Sequence, residues 1–276
     1  MRTTDVFKQI TIIGTGLIGG SLGLALRQSG FVGAVVGCDS SEVLHKAKAC
    51  GAIDVAQPDF RAAVNDSDLV VIATPVRTAI NLLPHVAETC APHALITDTG
   101  STKAAIAERA RQVFGAAAPK RFIPGHPIAG REQGGIANAT ADLFRDASWI
   151  LTPLSPDKTA QLTSLETLIQ QVGARVLTLT PEEHDLALAF TSHLPQVLSN
   201  ALVEAARASL PENVPIENVS GGGWRDMTRL SRSPQNIWDD IFATNSQNLQ
   251  KALDSVQSVL KRVRGEIAGS ELKKPS

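Results

Sequence analysis

The 276-residue chain has no tyrosine, three cysteines and six histidines. The absence of tyrosine excludes the dehydrogenases that use a Tyr–Lys pair as their acid–base group. Cys38, Cys50 and Cys90 are isolated and form no Cys-x-x-Cys pair, so the sequence predicts neither a disulfide framework nor a zinc site. We therefore expect a protein that uses no metal ion.

The chain also lacks an excess of charge of either sign. Its 26 Lys and Arg residues against 27 Asp and Glu residues leave a formal net charge of −1, which gives no overall field to attract nucleic acid or an anionic membrane. No apolar run approaches the roughly 20 residues of a membrane span, and the amino-terminal sequence does not resemble a signal peptide. We expect a cytoplasmic protein with neither nucleic acid nor membrane as a partner.

The first 180 residues contain an alternation of short apolar runs and helix-like stretches. The apolar runs are ITIIG, AVVGCD, LVVIATP, ALITDT, RFIPG, SWILTP and ARVLTL. Continuous apolar strands that alternate with helices are typical of a parallel sheet covered on both faces. The sequence therefore predicts an α/β fold in which residues 1–180 form a doubly wound, Rossmann-type, dinucleotide-binding domain.

After Pro181 the strand pattern stops, and residues 181–276 read as helical. The pattern predicts Thr180 as the N-cap of one long helix and a second helix that begins at 233–234. Apolar residues recur at heptad spacing in the second helix, at Leu249, Leu253, Val256, Leu260, Val263 and Ile267. Such a stripe packs either within its own domain or against a second copy of the chain. We expect an all-helical domain that binds substrate and forms a homodimer.

A glycine-rich turn follows the first predicted strand, in ITIIGTGLIGGSLGLAL. Gly14 permits a tight turn, Gly16 lets the backbone approach a pyrophosphate, and Gly19 lets helix and strand pack closely. Asp39 ends the next strand, where it can accept hydrogen bonds from both ribose hydroxyls and would repel a 2′-phosphate. The pattern favours NAD over NADP, although similar glycine turns occur in other α/β proteins.

Three further predicted strands end in polar residues: Thr74 and Pro75 after LVVIA, Asp98 and Ser101 around ALITDTGS, and His126 after RFIPG. Ligands of open α/β sheets bind beyond the carboxyl ends of the strands, so these positions predict a site beside the nicotinamide. Simpler interpretations stay open, with Ser101 as a helix N-cap, Lys103 as a solvated lysine and His126 as a turn histidine. The residues expected to contact the cofactor are Gly14, Gly16, Leu17, Ile18, Gly19, Asp39, Thr74, Pro75 and Ser101.

The helical half offers groups that suit an acidic substrate. His193 is a candidate ligand contact, whereas His184 lies nine residues earlier, about 180° around a regular helix. We therefore expect His184 to lie at the surface and to share no site with His193. In GGGWRDMTRL, Arg225 and Arg229 lie four residues apart on one helix face, and arginine binds carboxylates in a bidentate manner. An ion pair between Asp226 and Arg229 is the alternative.

The segments GTGLIGGSLGLAL, DTGSTK, PGHPIAGREQGG, TSHLPQVLSNAL and GGGWRDMTRL resemble, in this order, those of the prephenate, arogenate and cyclohexadienyl dehydrogenases, the TyrA family of tyrosine biosynthesis. The resemblance covers about residues 10 to 250. It implies NAD-dependent oxidative decarboxylation of prephenate to 4-hydroxyphenylpyruvate and CO2. The alternatives are a dehydrogenase of arogenate, which would give tyrosine, and a cyclohexadienyl dehydrogenase that accepts both substrates.

The resemblance also implies a role for individual residues. His126 would take the proton of the ring hydroxyl as hydride leaves the same carbon, and Ser101 would orient His126 and the nicotinamide. His193 and Arg229 would hold carboxylates, while other residues would shape or gate the pocket, in part across a dimer interface. The implied substrate-binding residues are His193, Arg229, Glu132, Trp238 and Gly222.

Two other functions stay open at this point. A different β-hydroxyacid dehydrogenase would use a helix-borne lysine as its acid–base group, which GSTK fits loosely, but the segment GHPIAG would then be unexplained. A non-catalytic, NAD-sensing dimer would have no need of an imidazole beside the nicotinamide.

Overall fold

The computed structural model describes residues 6–131, 133–233 and 235–271. Within it the chain divides into two compact units, the first ending at His184 and the second beginning at Asp185. The domain boundary predicted from sequence lies at residue 180, four residues earlier than this division.

The first unit is built on a sheet of six parallel strands in the order β3-β2-β1-β4-β5-β6. Alternate residues of a strand point to opposite faces, and on β1 Ile12 and Ile13 enter two different apolar clusters. The sheet is therefore covered on both faces, as predicted for a doubly wound fold. The strands are β1 (Gln9–Ile13), β2 (Ala34–Cys38), β3 (Val55–Ala56), β4 (Leu69–Ile72), β5 (Leu95–Asp98) and β6 (Phe122–Ile123).

Seven helices of the first unit follow or connect these strands. The four longest begin and end within about three residues of the helix-like stretches that the sequence predicts at 17–29, 77–90, 103–114 and 157–172. The short edge strand β3, whose two residues are exposed, carries no such pattern and was not predicted. The helices are α1 (Leu17–Gln28), α2 (Ser41–Ala49), α3 (Phe60–Val64), α4 (Val76–Thr89), α5 (Ala104–Phe114), α6 (Ala118–Arg121) and α7 (Ala160–Gln171).

A second, three-stranded sheet corrects the prediction of one continuous parallel sheet. It consists of β7 (Gly125–Pro127), β8 (Ser148–Leu151) and β9 (Arg175–Thr178), with β7 antiparallel and β9 parallel to β8. The predicted strand RFIPG is divided, because Pro124 has no N–H with which to continue the first sheet. His126 therefore lies within β7, opposite Ile150, and not at the end of a strand of the main sheet.

The helical segment begins with α8 (Pro181–Leu188) and continues through a π-helical turn (Ala189–His193) into α9 (Leu194–Ser209). The predicted single helix is thus interrupted just before Pro195, whose missing N–H and ring disturb a regular α-helix. The predicted N-cap is confirmed. The Thr180 N–H donates to Glu183 Oε2 at 2.8 Å, and the Glu183 N–H donates to Thr180 Oγ1 at 3.1 Å, a capping box. The bonds from the Thr180 backbone and side chain lower the pKa of Glu183.

The remaining helices of the second unit are short except for the last. They are α10 (Ile216–Val219), α11 (Gly222–Thr228), a 3₁₀ turn (Arg229–Arg232), α12 (Gln235–Thr244) and α13 (Ser246–Glu271). The helix predicted to open at 233–234 is thus two helices separated at Asn245, and residue 234 lies outside the described residues. Over the described parts of the chain, no helix is long and apolar enough to cross a bilayer.

The heptad stripe of α13 is divided between two environments. Leu249 is buried in a small apolar cluster that also contains Leu194. Farther along the helix, Leu260 and Ile267 are 55% and 60% exposed. Packing within the domain therefore accounts for the first half of the stripe only.

Candidate active site

The glycine turn after β1 has the close contacts that its sequence pattern predicts. Gly14 has a φ of +90°, and a Cβ at that position would lie 2.5 Å from the Ala73 carbonyl oxygen. A Cβ on Gly19 would lie 2.0 Å from the Gly14 oxygen, so helix α1 approaches the turn too closely for any side chain. A Cβ on Gly16 would meet no atom within 4 Å. The turn thus has open space beside its middle glycine.

The amino terminus of α1 suits a diphosphate. Its N-cap is Gly16, no side chain caps the helix, and no acidic residue lies in its first turn. Backbone N–H groups and the helix dipole at such an end attract anions. Leu17 and Ile18, the first two residues of the helix, are half-buried there. The backbone cradle therefore fits the diphosphate of a dinucleotide.

Asp39 follows β2 directly and is tied to the same turn. Its Oδ2 accepts the Thr15 N–H at 2.8 Å, and its Oδ1 accepts the Ser40 N–H at 2.7 Å. Oδ2 also accepts the Thr15 hydroxyl at 3.4 Å. Because a carboxylate oxygen has two acceptor positions, Oδ1 is the oxygen that can accept a further hydrogen bond. The carboxylate is thus fixed in orientation, as binding of ribose hydroxyls requires.

Cys38, the residue before Asp39, has no reactive character. Burial, aided by the charges of Asp39 and Asp59, raises the pKa of its thiol to about 11. The thiol is therefore protonated at neutral pH, and the nucleophilic thiolate is absent. Within the described residues there is also no cluster of three His, Cys, Asp or Glu side chains placed to hold a metal ion.

Thr74 and Pro75 lie between β4 and α4, next to the glycine turn. Pro75 is the residue before the first residue of α4, and the Thr74 methyl carbon would lie 3.1 Å from a Cβ on Gly14. Two loops at the carboxyl ends of neighbouring strands β1 and β4 therefore touch, which is the place where open α/β sheets bind ligands.

The loop after β5 contains a buried ion pair. Lys103 and Asp98 are both fully buried, and the Lys103 ammonium group contacts the Asp98 carboxylate. The same ammonium donates to the Gly125 carbonyl oxygen at 2.8 Å, while Asp98 accepts the N–H groups of Gly100 and Gly125. The interpretation of Lys103 as a solvated lysine is therefore wrong.

This ion pair connects two candidate residues. Gly125 precedes His126 directly, and Ser101 lies in the loop between Asp98 and Lys103. Two hydrogen bonds thereby join the loop to β7, one from Lys103 Nζ to the Gly125 oxygen and one from the Gly125 N–H to Asp98 Oδ1. Ser101 is not the N-cap of α5, because that position is occupied by Lys103, so the simpler interpretation of Ser101 is wrong.

His126 contacts a second histidine. Its Nδ1 lies 2.9 Å from Nε2 of His184, and the two rings meet edge to face with centroids 5.1 Å apart. His184 is fully buried, so its predicted surface position is wrong. The prediction assumed a regular helix and considered only its sequence neighbours, whereas the partner of His184 lies 58 residues away.

In the second unit, His193 is buried and its ring forms a hydrogen bond with Asn245. Its Nδ1 lies 3.2 Å from Nδ2 of Asn245, which also donates to the Asp185 carbonyl oxygen at 2.7 Å. Nδ2 of Asn245 can only donate, so Nδ1 of His193 accepts and the ring carries its proton on Nε2. Asn245 was not identified from the sequence, because a buried asparagine between two helices has no local signature.

The other predicted substrate-binding residues occupy the same unit, with one exception. Trp238 packs edge to face against His193 at 6.2 Å. Gly222 begins α11, and Arg229 begins the 3₁₀ turn that follows it, both exposed. Arg225 and Arg229 thus belong to two different elements and not to one regular helix. Glu132 lies outside the described residues.

A doubly wound parallel sheet, a glycine turn at an uncapped helix end and a fixed aspartate after β2 together define the nucleotide-binding domain of a dinucleotide-dependent oxidoreductase. Residues 22–178 match the family model described as prephenate dehydrogenase, nucleotide-binding domain. Residues 180–274 match the one described as prephenate dehydrogenase, dimerization domain. The chain belongs to the prephenate dehydrogenase family.

Individual relatives agree with this membership. A prephenate dehydrogenase of Bacillus subtilis is 33% identical over 92% of this chain and 69% of its own length. The crystal structure of prephenate dehydrogenase from A. aeolicus in complex with hydroxyphenyl propionate and NAD+ superposes with a TM-score of 0.89 at 30% identity, over 96% of this chain and 92% of that one. The Synechocystis arogenate dehydrogenase superposes with a TM-score of 0.82 at 29% identity, covering 95% and 93%.

Proposed function

We propose that this protein is an NAD-dependent prephenate dehydrogenase, which converts prephenate to 4-hydroxyphenylpyruvate and CO2. The observation that carries the proposal is a histidine held by buried contacts in the same unit as a glycine turn that fits a dinucleotide. A structure similar over 96% of this chain contains NAD+ and hydroxyphenyl propionate, a phenol that resembles the aromatic product of this reaction.

His126 is the proposed general base. A neutral imidazole is suited to take a hydroxyl proton near neutral pH. NAD, when bound, supplies the acceptor for the hydride that leaves the same carbon. The ring then carries a carbonyl. Loss of the ring carboxylate as CO2 makes the ring aromatic and leaves a phenolate oxygen, which takes the proton back from His126 to give the phenol. Because aromatisation drives the loss of CO2, the chain needs no metal ion to polarise the oxygen.

The cofactor residues are proposed on the geometry of the turn. Backbone N–H groups of the turn and of Leu17 and Ile18 would bind the diphosphate, and Asp39 would bind the adenosine ribose. Thr74, Pro75 and Ser101 would border the nicotinamide ribose. The negative charge of Asp39 would repel a 2′-phosphate, which supports NAD as the preferred cofactor.

The residues proposed to bind the carboxylates of the substrate belong to the second unit. His193 carries its proton on Nε2 and can donate it to a carboxylate, and Arg229 can bind one with two parallel N–H groups. Trp238 would provide an apolar wall beside His193. We include Gly222 and Glu132 in the substrate site on the resemblance of their segments to those of the family.

The proposed assembly is a homodimer formed by the second unit. The match to a dimerization domain supports it, and so does the exposed apolar stripe at Leu260 and Ile267. Light scattering of the purified chain tests it, and a monomer at micromolar concentration would contradict it. The predicted cytoplasmic location stays a prediction.

The activity is tested by following NADH absorbance with prephenate, arogenate and simple β-hydroxyacids as separate substrates, each with NAD and with NADP. We expect turnover with prephenate and NAD. Arogenate is the second candidate, because an arogenate dehydrogenase is similar over 95% of this chain. Turnover of a simple hydroxyacid alone would contradict the proposal, and the buried pairing of Lys103 argues against that result, since it removes the lysine such an enzyme would use.

A further inference from the structure

The contact between His126 and His184 restricts the proton positions of both rings. A neutral imidazole has one N–H and one acceptor nitrogen. Across the 2.9 Å contact from Nδ1 of His126 to Nε2 of His184, one nitrogen must donate and the other accept. If Nε2 of His184 donated, Nδ1 of His126 would be the acceptor, and the single proton of the neutral His126 ring would lie on Nε2. That tautomer has no nitrogen left to act as a base.

We infer that His184 is a positioning residue that holds His126 in its Nδ1–H tautomer, so that Nε2 of His126 is the nitrogen that accepts the substrate proton. His184 would then carry its own proton on Nδ1 and accept from His126 through Nε2. His184 has this role only within the proposed function, in which His126 is the base. Neither histidine's sequence neighbours indicate the pairing.

The fold fixes both partners of this contact. His126 is held in β7 by pairing with Ile150 of β8, and the Lys103–Asp98 pair holds the backbone of Gly125 before it. His184 follows the capping box of α8, and its own N–H donates to the Thr180 carbonyl oxygen at 3.0 Å. The Leu179 N–H donates to the Leu151 carbonyl oxygen at 3.1 Å, which ties the start of α8 to β8.

The same contact would stabilise the protonated base. Once Nε2 of His126 has taken the proton, its Nδ1–H remains a donor to a neutral acceptor, which lowers the free energy of the imidazolium. The charged groups described on the surrounding elements include the buried pair of Lys103 and Asp98, the exposed Glu182 and Glu183 of α8, and Asp185, the next residue in the chain. Phenylalanine in place of His184 would remove the acceptor and keep the ring.

The test compares His184→Phe with His184→Gln, whose terminal group reaches the position of Nε2. We expect His184→Phe to lower kcat at least about tenfold, to leave the KM for NAD unchanged and to move the acidic limb of the pH profile to lower pH. His184→Gln should recover most of kcat. A wild-type kcat and pH profile in His184→Phe would overturn the role, as would a loss that His184→Gln does not recover.

A measurement on the wild-type protein covers the case in which His184→Phe does not fold. ¹⁵N NMR of labelled histidine, assigned by the signals missing in His126→Asn, should show the Nδ1–H tautomer of His126 without any substrate. The Nε2–H tautomer would overturn the role of His184. An enzyme inactive on prephenate but with the Nδ1–H tautomer would overturn the proposed function alone.

Discussion

The glycine turn and the surroundings of His126 are two halves of one proposed site, built in different ways. The turn is formed by backbone atoms within one short segment. Gly14 and Gly19 are required there because a carbonyl oxygen would lie 2.5 Å and 2.0 Å, respectively, from a Cβ added at each. His126 and the preceding Gly125 are held by side chains from two distant segments, one with Asp98 and Lys103 and the other with His184. Binding of the cofactor is therefore encoded locally, and positioning of the base depends on tertiary packing.

The sharpest separation of the two halves is the substitution His126→Asn. Because general-base catalysis contributes about 10²- to 10⁴-fold, we expect kcat to fall by that factor while the affinity for NAD is unchanged. Steady-state kinetics and a fluorescence titration with NADH measure the two quantities. The control is His85→Asn, a histidine of α4 outside the proposed site. Retained turnover in His126→Asn would contradict the assignment of the base.

The dependence of His126 on packing is tested by Lys103→Met. Removing one partner of a buried ion pair costs about 3–5 kcal/mol in stability, and here it also releases the backbone of Gly125. We expect a large drop in the denaturation midpoint together with loss of kcat. Lys46→Met, which removes an exposed lysine paired with Glu42, is the matched control and should unfold as the wild type does. Equal stability of the two variants would show that the buried pair does not support β7.

The glycine turn allows a comparison within itself. In Gly14→Ala the methyl group collides with the Ala73 carbonyl at a positive φ, and strain of this kind costs about 1–3 kcal/mol. In Gly16→Ala the methyl group meets only open space, so stability should be unchanged while NAD binds more weakly. Thermal unfolding and NADH titration of both variants test this pair. Unaltered NAD affinity in Gly16→Ala would place the diphosphate elsewhere.

The smallest expected effect concerns cofactor preference. Replacing the carboxylate in Asp39→Asn removes the repulsion of a 2′-phosphate, and we expect the ratio of kcat/KM for NADP over NAD to rise about tenfold, or about 1.4 kcal/mol. Asp66→Asn, an exposed aspartate before β4, removes the same charge at a distance and serves as the control. A ratio that changes equally in both variants would reflect net charge and not the site.

What the sequence predicted follows the same division between local and distant contacts. Gly14, Gly19 and the N-cap Thr180 act within a few residues, and their roles in the turn and at the helix end are as predicted. The separate sheet of β7, β8 and β9 was not predicted, because apolar strands of either sheet have the same pattern. The predicted surface position of His184 was wrong because nothing near it in the chain indicates a partner 58 residues earlier.

The break at Pro124 has a consequence for redesign. The proposed base, His126, lies on β7, outside the six-stranded sheet. The two sheets are connected near His126 by Pro124 and by the hydrogen bonds of Lys103 and Asp98 to Gly125. Asp39 follows β2, which lies second from the opposite edge of the six-stranded sheet. An engineer can therefore vary the nucleotide pocket in one set of mutants and the proton-transfer group in another, with little interference between them.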